Sequence, residues 1–277
     1  METSLNIRLS RIPLSLVLLT AVNLAWAQSN LPALERQLEK TSSDSVRLLL
    51  LVELAENYER VDFNKATGYT NEALKIAEEN DWNWARIKVY ERAGFLGTLS
   101  GDYSKAIKYD NDRLELILLS GDSTLLPRAI NYLGNDYSDL GQYDRAYQYF
   151  TRSYQLAKKL NDSVTMSIAI HNVGNVFKEL GQFDIALNHF EFSRKLSKDV
   201  RDMEAEAYTD EEEGDLFMRM GDYEKSETYL LRALQAARFH GIAFIEPRIQ
   251  GKLASLYHLQ GLNDIALLYY DSATALY

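Results

Sequence analysis

A short phrase recurs along this chain at a fixed interval of 40 residues: a glycine, an aromatic residue two places on, and an alanine or serine three further. It stands at "SGDYSKAIKYDNDRLEL", "LGQYDRAYQYFTRSYQL", "LGQFDIALNHFEFSRKL", "MGDYEKSETYLLRALQA" and, more loosely, "QGLNDIALLYYDSATAL". The glycines are Gly101, Gly141, Gly181, Gly221 and Gly261. A worn first copy, "VDFNKATGYTNEALKIA", places Phe63 in the aromatic slot. A unit of this length cannot bury its apolar face alone, so such units must stack on their own copies.

Each unit reads as two helices. Ile168, Val173, Val176, Phe177 and Leu180 recur at helical spacing, and so do Phe183, Ala186, Leu187, Phe190 and Leu196. The glycine between them suits a helix end in the left-handed conformation. A second punctuation falls between units, at Asn80-Asp81, Gly121-Asp122, Asn161-Asp162, Arg201-Asp202 and His240-Gly241. Two columns of small residues mark where helices must approach closely. Gly94, Gly134, Gly174, Gly214 and Ala254 form one; Ala106, Ala146, Ala186, Ser226 and Ala266 form the other. Mid-helix glycine costs about 0.5–1 kcal/mol relative to alanine, so its recurrence implies a packing demand. Large residues flank these columns: Tyr137, Phe177, Phe217 and Tyr257 in the first helix, and Phe150, Phe190, Leu230 and Tyr270 in the second. The second unit departs from the pattern. Gly97 replaces its aromatic and Asp110 its large apolar residue, which predicts looser packing there or another filling. The first unit lacks the turn glycine. Pro127 and Pro247, 120 residues apart and each followed by arginine, belong in the first turn of their helices or kink them.

The order small residue, aromatic, Gly-x-aromatic, alanine, aromatic, small residue resembles the tetratricopeptide repeat; in the fourth unit it is Gly174, Phe177, Gly181-x-Phe183, Ala186, Phe190 and Ser193. The period of 40 is similar to that of the long-helix subclass, and to the exported repeat regions of bacterial sensor kinases and regulators. The resemblance covers residues 43–277 and implies an all-α fold, a right-handed α-solenoid of about six helix-turn-helix units. The units run approximately over 43–80, 81–120, 121–160, 161–200, 201–240 and 241–277. It also implies a concave face lined by the first helices, where a protein or peptide segment binds. Counted back from the small residues, that face includes Lys88, Glu91, Arg128, Asn131, Asn135, Ile168, His171, Asn175, Tyr208, Glu211, Asp215 and Arg248. Asn135 and Asn175 are equivalent, and asparagine can pair with a peptide main chain through donor and acceptor together. The alternative is that these amides cap local backbone or face water.

Residues 1–27 read as a signal peptide: Arg8 and Arg11, then an apolar run ending in Ala25-Trp26-Ala27. Residues 28–42 form a linker with a short helix over 31–39. The mature protein is then exported, periplasmic or secreted, with no membrane span. The net charge of −10 argues against a nucleic-acid partner. The absence of cysteine excludes disulfides and thiolate chemistry. No phosphate loop or His-Glu-x-x-His motif occurs, and His171, His189, His240 and His258 are scattered. The expectation is therefore no enzyme, no cofactor and no metal. "TDEEEGD" (209–215) reads as a solvated or peptide-facing acidic patch, and "SRKLSKDVR" (193–201) as a solvated helix end. Two functional readings remain: an exported peptide-binding scaffold, and the sensing region of a signalling protein whose output domain is not in this chain. The sequence stops inside the apolar helix "IALLYYDSATALY", which fits truncation, a continuing domain or self-association.

Overall fold

The computed structural model describes residues 31–59 and 61–275; residues 1–27, read above as a signal peptide, lie outside the described residues. A helix α1 spans residues 31–40. It is followed by α2 (Asp44–Tyr58), α3 (Phe63–Glu79), α4 (Asn83–Leu99), α5 (Tyr103–Ser120), α6 (Leu126–Asp139) and α7 (Tyr143–Leu160). Then come α8 (Ser163–Glu179), α9 (Phe183–Val200), α10 (Met203–Arg219), α11 (Tyr223–His240), α12 (Glu246–Leu259) and α13 (Asn263–Thr274). Single turns of 3-10 helix, Ser123–Leu125 and Ala243–Ile245, precede α6 and α12. No strand occurs among the described residues. Pro127 and Pro247 each sit at the start of a helix, where a missing N–H costs nothing.

Packing divides the chain within α10, into one group running to Thr209 and another from Asp210. In the first group, α2 pairs with α3, α4 with α5, α6 with α7 and α8 with α9. Each pair is joined to the next through α3–α4, α5–α6 and α7–α8, and the first helices also touch directly, α2 with α4 and α6 with α8. In the second group α12 packs on both α11 and α13. Helix α1 closes the N-terminal core: Leu31, Leu34 and Leu38 are buried with Leu48, Leu51 and Leu54 of α2.

The turns follow one mechanism. Gly101, Gly141, Gly181, Gly221 and Gly261 all have φ between 70° and 81°, the left-handed region. The next residue's N–H then reaches back to the aromatic position of the preceding helix, Gln142 to the Tyr137 carbonyl at 2.8 Å and Gln182 to the Phe177 carbonyl at 2.9 Å. This bond satisfies a carbonyl that the helix end would leave open. The turn residue becomes the N-cap of the second helix, and where it is aspartate its carboxylate accepts from the third backbone N–H, as Asp102 does from Lys105 at 3.1 Å. The junctions between pairs repeat the geometry, with Asn161 and Arg201 both at φ 56°.

Close contact explains the small columns. A Cβ on Gly134 would lie 2.5 Å from the Phe150 ring, and one on Gly174 would lie 2.7 Å from the Phe190 ring. On Gly214 it would meet Leu230 at 2.7 Å. Phe150, Phe190 and Leu230 are fully buried. The series ends where its partner does: Ala254 stands in the glycine column, and Tyr270, its opposite number, is 45% exposed.

The second unit is not simply looser. A Cβ on Gly97 would lie 2.9 Å from the Ala106 backbone nitrogen, so α4 and α5 approach more closely at that point. Asp110 packs against Gly94, 3.1 Å from where its Cβ would be, and is buried. Beside it, Arg113 pairs with Glu91 and lies over the Tyr132 ring at 5.3 Å. A polar core thus replaces the aromatic one, and an open cleft flanks it near Gly97.

Candidate recognition face

Helices α6 and α8 lie side by side, and the residues that face across them come from the columns preceding Gly134 and Gly174. Helical spacing puts Arg128, Asn131 and Asn135 on one edge of α6, and Ile168, His171 and Asn175 on the matching edge of α8. Asn172 bridges the helices: its Nδ2 donates to Asn135 Oδ1 at 3.0 Å and to Asn131 Oδ1 at 3.4 Å. Asn131 is buried beneath this pair, whereas Asn135, Asn172 and Asn175 are partly exposed. The Asn175 amide oxygen is buried and makes no hydrogen bond. His171 packs its ring on Phe190 at 5.3 Å, and its Nδ1 lies 3.3 Å from Thr209 Oγ1 on α10.

Arg128 borders the cluster. Its guanidinium is largely exposed, donates to Tyr132 Oη at 3.2 Å and lies 3.6 Å from Glu91. Burial works against its charge, but Tyr132 and Glu91 outweigh it and hold its pKa above the ordinary arginine value. Ile168 contributes an exposed apolar surface. The combination is amides, the His171 imidazole, one cation and apolar ground.

Tyr208, also in the first group, is half-buried. Glu211, Asp215 and Arg248 belong to the second group. Glu211 is fully buried and accepts from Arg248 at 2.5 Å and from Lys252 at 3.0 Å. Asp210 pairs with Arg232, Glu212 with Lys252 at 3.1 Å, and Asp215 with Arg219 at 3.1 Å. Burial opposes the Lys252 charge, yet Glu212, Glu211 and Asp215 raise its pKa above the usual lysine value. Of the two readings given to the acidic run, solvated or peptide-facing, the burial and pairing of its carboxylates contradict the solvated one. Successive helical carboxylates point different ways, and each finds a cation on α10, α11 or α12. Removing one partner would strand a buried charge, which costs far more than the pair itself contributes.

A second cluster lies where α4, α5 and α6 meet. Asp110 and Asp136 are both buried, and Thr98 Oγ1 donates to Asp136 Oδ1 at 3.1 Å. Burial pushes Asp110 up to about 8, and the charge of Asp136 adds to that, while Arg113 opposes it. Burial raises Asp136 to about 6, with hydrogen bonds from Thr98 and Asp110 pulling the other way. Both shifts are upward, so the pair keeps a proton at pH values where a free carboxyl has lost its own. Asp136 went unnoticed in the sequence, although its column reads Leu96, Asp136, Val176, Leu216, Leu256. Arg113 likewise interrupts a column of small residues, Ala73, Ser153, Ser193 and Ala233. Among the described residues, no group of three or more His, Cys, Asp or Glu is placed to hold a metal ion. No helix among them is long and apolar enough to cross a membrane.

Paired helices joined by a left-handed glycine turn, with small residues at each crossing, define an α-solenoid. Two family models, both described as tetratricopeptide repeat, match residues 125–199 and 212–240, so tetratricopeptide repeats occupy those stretches of the chain. A Rap protein solved in complex with Competence and Sporulation Factor has a TM-score of 0.74 at 16% identity, over 90% of this chain and 70% of that one. A Rap conjugation gene regulator, solved with the Phr* peptide, has a TM-score of 0.69 at 17% identity, over 89% and 67%. A tetratricopeptide repeat protein from Parabacteroides merdae has a TM-score of 0.59 at 18% identity, over 95% and 93%. At these identities the likeness is one of fold. No curated protein matches the chain.

Proposed function

We propose that the chain is an exported recognition scaffold that binds an extended peptide or protein segment across the α6–α8 face. The observation that carries this reading is the amide cluster of Asn131, Asn135, Asn172 and Asn175, with its unpaired Asn175 oxygen. Amides in register offer a main chain both donors and acceptors, and Arg128 and Ile168 give a side chain charged and apolar ground to select against. Two proteins of this fold were solved with bound factors, one named as a peptide, which supports recognition as the role. Export rests on residues 1–27. Glu211 and Arg248 are paired with each other, and this reading gives them only a supporting part.

Peptides selected from a random library on the immobilised protein supply a ligand for the test. Two lost hydrogen bonds are worth about 0.5–1.5 kcal/mol each. Asn135→Ala with Asn175→Ala should therefore weaken binding about five- to a hundred-fold, at 1.4 kcal/mol per factor of ten. Full affinity in this double variant, with loss in Lys159→Glu on α7, would move recognition to the second helices.

A further inference from the structure

The aromatic column of the first helices has a constant neighbour. Tyr137 stacks with Tyr149 at 5.2 Å, Phe177 with His189 at 5.4 Å, Phe217 with Tyr229 at 5.2 Å and Tyr257 with Tyr269 at 5.4 Å. Phe177 is also met edge-on from the preceding helix by Tyr147, 5.8 Å away. Phe177 thus sits between a ring of the preceding second helix and a ring of its own second helix. In the second unit the same three positions, 40 or 80 residues earlier, are Thr67, Gly97 and Tyr109. The ring at position 97 is missing, Tyr109 meets the Tyr90 ring of α4 at 5.6 Å instead, and the small Thr67 holds the position that Tyr147 has beside Phe177 in the fourth unit.

All three residues line one open cleft of about 140 Å³ between α3, α4 and α5. A cavity of about 150 Å³ accepts a benzene ring. Its apolar lining is Ala93 and Leu96, the methyl-bearing Thr67 and Thr70, and the rings of Phe63 and Tyr109. Both threonine hydroxyls are turned to their own helix, Thr67 to the Phe63 carbonyl and Thr70 to the Ala66 carbonyl, each at 2.8 Å. The walls therefore present carbon to the cleft. Polar groups, Asn71, Ser100, Asp102 and Lys105, stand around it. No side chain can grow from position 97 to fill the space, because Ala106 blocks its first carbon.

We propose that this cleft takes an aromatic side chain of a polypeptide partner, which supplies from outside the ring that the second unit lacks. The partner's ring lies against Tyr109 as the rings of the other repeats lie against Tyr149, His189 and Tyr229. The site uses α3–α5 only and is independent of the amide cluster on α6 and α8.

The test titrates the full chain, methyl-labelled at alanine, leucine and threonine, with blocked pentapeptides of four alanines around a central Phe, Trp or Leu. Ring stacking adds about 0.5–1.5 kcal/mol beyond burial, so Phe and Trp should bind about two- to ten-fold more tightly than Leu. They should shift the methyl signals of Thr67, Thr70, Ala93 and Leu96 upfield and saturably. Thr67→Trp fills the slot from α3 and should abolish these shifts. Tyr109→Ala should level Phe with Leu, and it carries the test should the tryptophan variant not fold. The double variant Asn135→Ala with Asn175→Ala should bind the pentapeptides as the parent does, which separates this site from the α6–α8 face. No saturable shift, equal affinity for Phe and Leu, or shifts that persist unchanged in Thr67→Trp would each overturn the proposal.

Discussion

Adding one methyl group at two glycines should produce effects of opposite sign. Gly174 and Gly68 both lie inside helices of the first group, α8 and α3. Alanine gains about 0.8–1.0 kcal/mol over glycine in a helix interior, and this gain is common to both sites. A Cβ at Gly68 meets nothing within 4 Å, so Gly68→Ala should stabilise by roughly that amount. A Cβ at Gly174 would lie 2.7 and 2.8 Å from two atoms of the Phe190 ring and 3.3 Å from His189 Cβ. Carbon atoms sit comfortably about 3.5–4.0 Å apart, so the ring must retreat by about 1 Å. It is fully buried, with the His171 ring 5.3 Å away on another side. Overpacking of this kind costs about 1–3 kcal/mol, so Gly174→Ala should destabilise by about 0–2 kcal/mol. Because the helix term cancels, the difference between the variants isolates the steric cost. Urea unfolding followed by circular dichroism measures it. In a Phe190→Ala background the Gly174→Ala penalty should vanish. Equal shifts for the two glycines, or a penalty that survives without Phe190, would refute close helix contact as the reason for the glycine column.

The pH dependence of stability follows from Asp110. Its folded pKa, about 8, lies above the ordinary carboxylate value, so the folded state binds more protons than the unfolded state between these limits. Stability should fall as pH rises from about 4 through about 8 and then level off, and Asp110→Asn should flatten the profile and stabilise the protein at pH 8; a profile unchanged by Asp110→Asn would show that the buried pair does not share a proton. Arg201 holds φ at 56° with a side chain that disfavours it, so Arg201→Gly should stabilise by about 1 kcal/mol in thermal or urea unfolding, and destabilisation would mean that the arginine side chain holds the junction.

The pair structure and its turns were legible because their causes are local. A glycine in left-handed conformation, an N-cap in the next place and a small residue at each crossing leave marks at fixed spacing. The second unit was legible only in part. Gly97 and Asp110 stood out as departures, but what replaced the aromatic core was Asp136 from the next unit and Arg113 from a column of small residues. Neither belongs to the motif, so neither drew attention. Asn172 escaped for a similar reason: it acts across two helices on residues 37 and 41 positions earlier, a separation that no local periodicity reveals. The solvated reading of the acidic run failed because Arg232, Arg248 and Lys252 approach it from other helices. Composition shows that a segment is charged, whereas burial and pairing depend on what packs against it.

The central claim is that recognition runs over the first helices. Site-specific photo-crosslinking tests it most directly, with benzoylphenylalanine placed at Ile168, exposed on the α8 face, or at Lys195, exposed on α9. Each variant is irradiated with a peptide selected on the parent protein. The account predicts a covalent adduct from position 168 and none from 195. An adduct from 195 with none from 168 would contradict it.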